Sequence, residues 1–252
     1  MSSFPAAKRC FLCECLSYDE INEETISLEF SWPGPQPRGG QFFMMKAEFG
    51  GVFLGRPIST AGWEAPGILR FIIARRGRGS EELMNLRPGN RAELSGPLGN
   101  CWADAGAVIP EGPAALISGG VGVAPLACYA PELGKRSYDF YAGFKNRPYG
   151  LENVKPRSLV IATEDGSEGL EGRIPDFFSP KGYSIVFSCG PVPMLKTVAA
   201  ICEESGVPCY ISMERHMACG TGACLGCTVK TRTGNRRCCA DGPIFNAVEV
   251  VW

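Results

Sequence analysis

Residues 219–227 read CGTGACLGC, and a second cysteine pair follows at 236–242 in RRCCADG. Three cysteines and four small residues in nine positions leave too little apolar side chain to fold such a stretch by burial alone. Something bound there must organise it. The chain carries thirteen cysteines in 252 residues, an odd count in a protein too long to need a disulfide scaffold. Reduced thiols and a cytoplasmic location are therefore expected. Cys10, Cys13, Cys15, Cys101, Cys128, Cys189, Cys202 and Cys209 are dispersed, as small core hydrophobes usually are. Cys219, Cys224, Cys227, Cys238 and Cys239 crowd together near the C-terminus.

The rest of the chain divides by hydrophobic rhythm. Up to about residue 102, alternating stretches such as ISLEFSW (26–32), QFFMMKA (41–47) and ILRFIIARR (68–76) lie between Gly- and Pro-rich connections, the pattern of a small antiparallel barrel or sandwich. A short helix is expected over SEELMNL, 80–86. Beyond residue 103 come apolar runs without alternation: AALIS (114–118), YDFYAGF (138–144), SLVIAT (158–163), SIVFSCG (184–190) and PCYISM (208–213). With a helix over 192–205, they predict a parallel sheet covered by helices and loops. The tail fits neither pattern, so three domains are expected, over 1–102, 103–210 and 211–252. A net charge of −1 with scattered Lys and Arg gives no nucleic-acid surface. No apolar run approaches the roughly 20 residues of a membrane span, and the N-terminus lacks a secretory segment.

The tail spacing is C-x4-C-x2-C with a further cysteine downstream, the ligand pattern of a plant-type two-iron cluster. Such a cluster needs thiolates converging from one tight loop and one distant point, with backbone N–H groups aimed at the sulfurs. Gly220, Gly222 and Gly226 allow that close approach by adopting positive φ. Cys219, Cys224 and Cys227 are the first three candidates, and Cys238 or Cys239 is the fourth. Structural zinc favours paired C-x2-C knuckles and suits the spacing poorly. Compartment disfavours a disulfide, and counting alone leaves a four-iron cluster open. His216 stands alone, whereas a Rieske-type centre needs two histidines. CFLCEC (10–15) looks like a metal motif but reads as core packing on the first strand.

Two further signals concern phosphate. ALISGGVGVAPL (115–126) is a buried strand entering a turn with Gly119, Gly120 and Gly122, then a helix near Pro125 that offers N–H donors to an anion. It departs from the usual G-x-G-x-x-G, because Pro125 stands where the third glycine belongs. RPIST (56–60) places an Arg able to hold a diphosphate at a barrel strand end. RRGRGS (75–80) is a second Gly-rich turn, and GPLGN (96–100) closes the barrel.

Taken in order, RPIS, GRGS, GPLG, SGGVGVAP, SCGPVPM and CGTGACLGC resemble the electron-transfer subunits of two-component, NAD-dependent dihydroorotate dehydrogenases, a branch of the ferredoxin reductase superfamily. The likeness covers essentially the whole chain and is most specific in ERHMACGTGACLGC and CCADGPIF. It implies an antiparallel FAD-binding β-barrel, a parallel-sheet NAD-binding α/β domain and a small C-terminal 2Fe-2S domain. Arg56, Pro57, Ile58 and Ser59 would line the flavin, Ile72, Ile73 and Ala74 would meet it through their backbone, and Gly79 with Ser80 would hold the diphosphate. Gly119, Gly120 and Gly122 would serve the NAD, and Cys189 and Gly190 would lie beside the nicotinamide. In the family the fourth ligand is separated by a single residue from Asp-Gly-Pro, which selects Cys239. Ser118 replaces the first of three family glycines and Ala124 a frequent proline. Ile58 stands where plant-type reductases carry an aromatic.

The implied activity is electron transfer in pyrimidine biosynthesis. An FMN-containing catalytic subunit, in a heterotetramer, oxidises dihydroorotate, and electrons pass through 2Fe-2S and FAD to NAD+. The chain shows no acid–base pair suited to dihydroorotate itself. The same cofactor module could instead serve a ferredoxin:NADP reductase or a sulfide dehydrogenase. A zinc-stapled interaction module is the reading from another class.

Overall fold

The computed structural model describes residues 9–104, 112–134 and 137–252. The first part is a closed barrel built from β1 (Arg9–Asn22), β2 (Thr25–Ser31), β3 (Phe42–Ala47), β4 (Arg56–Ala65), β5 (Ile68–Ala74) and β6 (Arg91–Leu98), with α1 (Arg78–Met84) between the last two. Around the barrel the order is β1-β2-β5-β4-β3-β6, all neighbours antiparallel. Alternation sends one set of side chains inward, among them Ile26, Leu28, Phe30, Phe43, Met45, Phe71 and Leu94. The filling is aromatic, with Phe43 edge-on to Trp32 at 4.9 Å and to Phe71 at 5.5 Å between ring centres. Cys13 and Cys15 are buried in this interior, so CFLCEC packs as expected, and burial pushes both thiols up to about 11.

RPIST opens β4 and does not end a strand. Its Pro and polar residues break the alternation that marks the neighbouring strands, because this part of β4 is half-buried on both sides. Helix α1 begins two residues before Ser80. The Ser80 hydroxyl accepts from Arg76 N and Gly77 N and donates to Gly77 O, closing the turn that starts the helix.

The second part is a sheet of β7 (Ala114–Gly119), β8 (Tyr138–Phe144), β9 (Ser158–Thr163), β10 (Leu170–Glu171), β11 (Ile185–Cys189) and β12 (Cys209–Ser212), with α2 (Val123–Tyr129) and α3 (Val192–Glu204). These strands run parallel in the order β10-β9-β8-β7-β11-β12. β7, β11 and β12 are buried almost throughout, which is why they read as unbroken apolar runs. Between β7 and β11 the strand order reverses, opening a crevice at their C-terminal ends.

The tail forms a hairpin of β13 (Thr228–Thr231) and β14 (Gly234–Arg237), followed by β15 (Ile244–Asn246). β15 pairs antiparallel with β12 and completes a seven-stranded sheet. Three residues behind a cysteine doublet carry no strand signal of their own; the exposed edge of β12 recruits them. Cys227, Cys238, Cys239 and Val229 consequently share one core with Ile117, Val186 and Ile211 of the sheet and with Phe42, Met44 and Leu98 of the barrel.

Candidate functional site

The β4–β5 ladder stops at Thr60↔Phe71. Below it, Arg56–Ser59 pair only with β3, and Ile72–Ala74 pair only with β2. The two segments therefore face each other across a slot edged by unpaired backbone groups, which a planar, hydrogen-bonding ring system can satisfy. Ile73 points into the barrel core, while Ile72 and Val123 both reach the Gly150 turn of the sheet domain. At the lower end of the slot a Cβ on Gly79 would lie 2.0 Å from Arg56 Nε. Arg56 thus rests on the backbone of α1, donates to Gly55 O at 3.3 Å and, among the described residues, makes no salt bridge. A half-buried guanidinium without a carboxylate suits a diphosphate. The slot, the free cation and the glycine floor together fit a flavin dinucleotide. The Ser80 hydroxyl, already used within its own turn, shapes this floor.

The crevice of the sheet brings the second group together. A Cβ on Gly122 would stand 2.1 Å from Cys189 O, and one on Gly190 would stand 2.9 Å from Gly119 N. The SGGVG and SCG turns therefore touch backbone to backbone, and Gly120 takes φ +53°. The Ser118 and Ser188 hydroxyls are buried here without a partner among the described residues. Burial, with the charge of Glu214 adding to it, holds the Cys189 thiol well above its usual range. That favours the protonated, neutral form of the thiol. Glu214, which the sequence did not single out, lies near both Cys189 and Arg76. Desolvation by the flanking walls raises its carboxyl and Arg76 opposes this, although solvent reaches it from the open side. A lone Glu in MERHM carries no signal that could have found it.

The third group is the cysteine loop. Gly220 at φ +63° lies against Met44 and Leu98 of the barrel, where a Cβ would come within 2.6 Å of Met44 Cγ. Gly222 at φ +83° sits under Ala240 and Arg237. Gly226 does not adopt positive φ; Leu225 does, at +58°. The reason is that Gly226 turns its N–H toward Cys224 Sγ at 3.5 Å, which throws the reversal one residue back. Four more N–H groups aim at thiols: Thr221 and Cys224 at Cys219 Sγ (3.3 and 3.5 Å), Gly222 at Cys239 Sγ (3.1 Å) and Cys239 at Cys227 Sγ (3.4 Å). The Thr221 hydroxyl and the neighbouring amides lower Cys219 to about 5. Cys238 points away and donates to Met213 O at 3.0 Å. His216 is exposed.

Among the described residues no three potential ligands converge as they would on a single ion. The thiols are instead linked in pairs, Cys219 with Cys224 and Cys227 with Cys239. Two thiols for each of two irons is the demand of a two-iron cluster. N–H groups directed at sulfur fit its negative charge. The loop also lies close to the flavin slot, because Met44, which Gly220 touches, is the β3 partner of Pro57.

Residues 214–251 match the family described as the iron-sulfur cluster binding domain of dihydroorotate dehydrogenase B. The electron transfer subunit of dihydroorotate dehydrogenase B (NAD(+)) from Clostridium acetobutylicum is 40% identical over 93% of this chain and 95% of its own. That from Caldanaerobacter subterraneus is 37% identical over 94% and 96%. A solved NADH-dependent reduced ferredoxin–NADP oxidoreductase superposes with a TM-score of 0.82 at 26% identity, covering 96% of this chain and 90% of that one. A ferredoxin NADP+ reductase from Neisseria gonorrhoeae gives 0.65 at 19% identity, over 83% and 95%, a likeness of fold alone. Thiols in N–H-lined pairs, a split barrel ladder and a glycine crevice thus recur along a single chain, and that chain belongs to the family of dihydroorotate dehydrogenase B electron transfer subunits.

Proposed function

We propose that this chain passes electrons from a dihydroorotate-oxidising catalytic subunit to NAD+, using FAD and a 2Fe-2S cluster as its resident groups. The observation that carries the reading is the contact of the cysteine loop with Met44, one strand from the slot at Arg56–Ser59. When bound, the cluster supplies one-electron exchange and the flavin couples it to two-electron hydride exchange with NAD+. The chain contributes position and electrostatics. Cys219, Cys224, Cys227 and Cys239 hold the irons, and the five N–H groups stabilise negative charge on the sulfurs. Arg56 and the turn at Gly79 and Ser80 hold the flavin diphosphate. Pro57, Ile58 and Ser59 line one wall of the flavin slot, and the Ile72, Ile73 and Ala74 backbone lines the other. Gly119, Gly120 and Gly122 admit the dinucleotide phosphates, while Cys189 and Gly190 keep the nicotinamide end free of bulk.

On this reading residues 1–102 carry FAD, 103–210 carry NAD and 211–252 carry the cluster, in a cytoplasmic protein of pyrimidine biosynthesis. Its partner holds FMN, and the two assemble as a heterotetramer. No described helix is long and apolar enough to cross a membrane. The likeness to the ferredoxin–NADP oxidoreductase favours one other reading, the same module serving ferredoxin and NADP. Anaerobic preparations should contain iron, sulfide and FAD. With the catalytic subunit and dihydroorotate added they should form NADH from NAD+ as dihydroorotate is oxidised to orotate. Reduction of NADP+ by reduced ferredoxin, without orotate formation, would decide for the alternative.

A further inference from the structure

The loop between β3 and β4, EFGGVFLG, carries the two most exposed large apolar side chains among the described residues, Phe49 at 92% and Phe53 at 90%. Such rings are normally turned inward, and this loop is not free to do so. Gly51 N and Val52 N donate to the Glu82 carboxylate at 3.1 and 3.2 Å, and Gly50 N donates to Ala47 O at 3.2 Å. Glu82 is fixed in turn by Arg78 at 3.3 Å. A Cβ on Gly50 would lie 2.3 Å from Glu82 Oε2, so the staple needs glycine at that point. The backbone between the two rings is fixed at Gly50, Gly51 and Val52.

Their place connects them to the cysteine loop. Phe53 and Gly55 line a cavity of about 230 Å³ together with Met44, Ala218, Cys219 and Thr221. On the same loop Leu225 is 62% exposed and held at φ +58°, a conformation that is strained for a residue with a Cβ. Its backbone serves the turn that aims Gly226 N at Cys224 Sγ, while its side chain joins no core of the described residues and is turned to solvent beside the exposed Cys224.

We infer that Phe49 and Phe53, with Leu225, are the apolar anchors on which the catalytic partner subunit docks over the cysteine loop. The inference rests on the electron-transfer reading above, which requires a donor protein to come up against the exposed thiols. Two buried Phe side chains contribute about 300–500 Å², much of the roughly 800 Å² that each partner gives to a standard interface. The loop backbone, already stapled to Glu82, loses little freedom on docking.

The test is the double variant Phe49→Asp/Phe53→Asp in the cofactor-loaded chain, mixed with the catalytic subunit. Iron, sulfide and FAD content, and NADH oxidation by ferricyanide, should equal those of the unaltered chain. Affinity for the catalytic subunit, by calorimetry, should fall at least tenfold, and Phe53→Leu should retain most of it. Affinity within twofold of the unaltered chain overturns the inference. So does loss of FAD or iron, which would assign the rings to a cofactor site. Conversion of a self-associating chain to a monomer, with partner affinity intact, would assign them to a second copy. An unaltered chain that fails to bind the catalytic subunit would overturn the electron-transfer reading as well, and is distinguished by that control.

Discussion

Cys224 is exposed and receives one N–H, whereas Cys238 is fully buried and donates its proton to Met213 O. Two neighbouring thiols of the same motif region thus have opposite fates. Cys224→Ser should abolish the cluster and leave FAD bound, because the Cys224 thiol is exposed and takes its N–H from Gly226 of the same loop. Iron and sulfide analysis beside the flavin spectrum checks it, and unchanged iron would remove Cys224 from the ligand set. Cys238→Ser should leave iron content unchanged, since the serine hydroxyl can keep the bond to Met213 O; loss of iron would move the fourth ligand from Cys239. Gly79→Ala tests the floor of the slot. The three atoms nearest the added Cβ all belong to the flexible guanidinium of Arg56, so the fold should survive while Arg56 is displaced. FAD affinity should fall about tenfold or more, equivalent to roughly 1.4 kcal/mol, with the unfolding midpoint of the apoprotein unchanged. Retained FAD affinity would separate Gly79 from the diphosphate.

At the scale of elements, legibility follows burial. YDFYAGF is β8 residue for residue and SIVFSCG contains β11, because a central parallel strand has no other pattern open to it. SLVIAT is β9 residue for residue although its first residues are exposed next to the edge strand, its apolar, β-branched run being signal enough. β4 was legible only as a motif, since its first residues face a slot and not a core. β15 was invisible, because its partner edge defines it and its own composition does not. Glu214 was invisible because only the meeting of two domains gives it neighbours. The connection from β8 to β9 shows what replaces a helix at the weak edge of the sheet. Arg157, just before β9, grips Asp139 of β8 through two bonds of 2.9 and 2.6 Å, and Tyr183 adds a third of 2.6 Å. Asp139 is 5% exposed, so Asp139→Asn should cost about 1–3 kcal/mol, read from urea midpoints. Arg157 first, then the Tyr183 hydroxyl, lowers the Asp139 carboxyl below its ordinary range. A depressed carboxylate stabilises the fold above the unfolded value near about 3.9 and loses that contribution only as pH falls below it. The difference between wild type and variant should therefore be equal at pH 6 and pH 8; a difference that changes across that interval would point to another group.

For the whole molecule, the barrel, the sheet and the cysteine tail meet at one junction. The barrel's closing turn at Gly99 and Asn100 meets the strand that follows the last cysteine. Asn100 N donates to Gly242 O at 2.7 Å, its side-chain amide donates to Ile244 O at 2.9 Å and Asp241 O at 3.4 Å, and its carbonyl accepts from Ile244 N at 3.0 Å. One half-buried side chain thus satisfies the backbone of β15 at the point where it leaves the cysteine doublet to join β12. Arg237 and Asp241 close the other side of that turn with bonds of 2.9 and 2.7 Å. The pair Cys227 and Cys239 is therefore positioned by contacts to the barrel and to the sheet at once. Asn100→Ala removes three side-chain bonds and leaves backbone groups of β15 unpaired, which should destabilise the chain by about 1–3 kcal/mol. Because the lost bonds belong to the tail and not to the flavin slot, iron should pass to a chelator several-fold faster while FAD remains bound. An iron-release rate equal to that of the unaltered chain would mean that the cysteine loop holds its shape without the barrel, and that the closing turn plays no part in keeping the irons one strand away from the flavin.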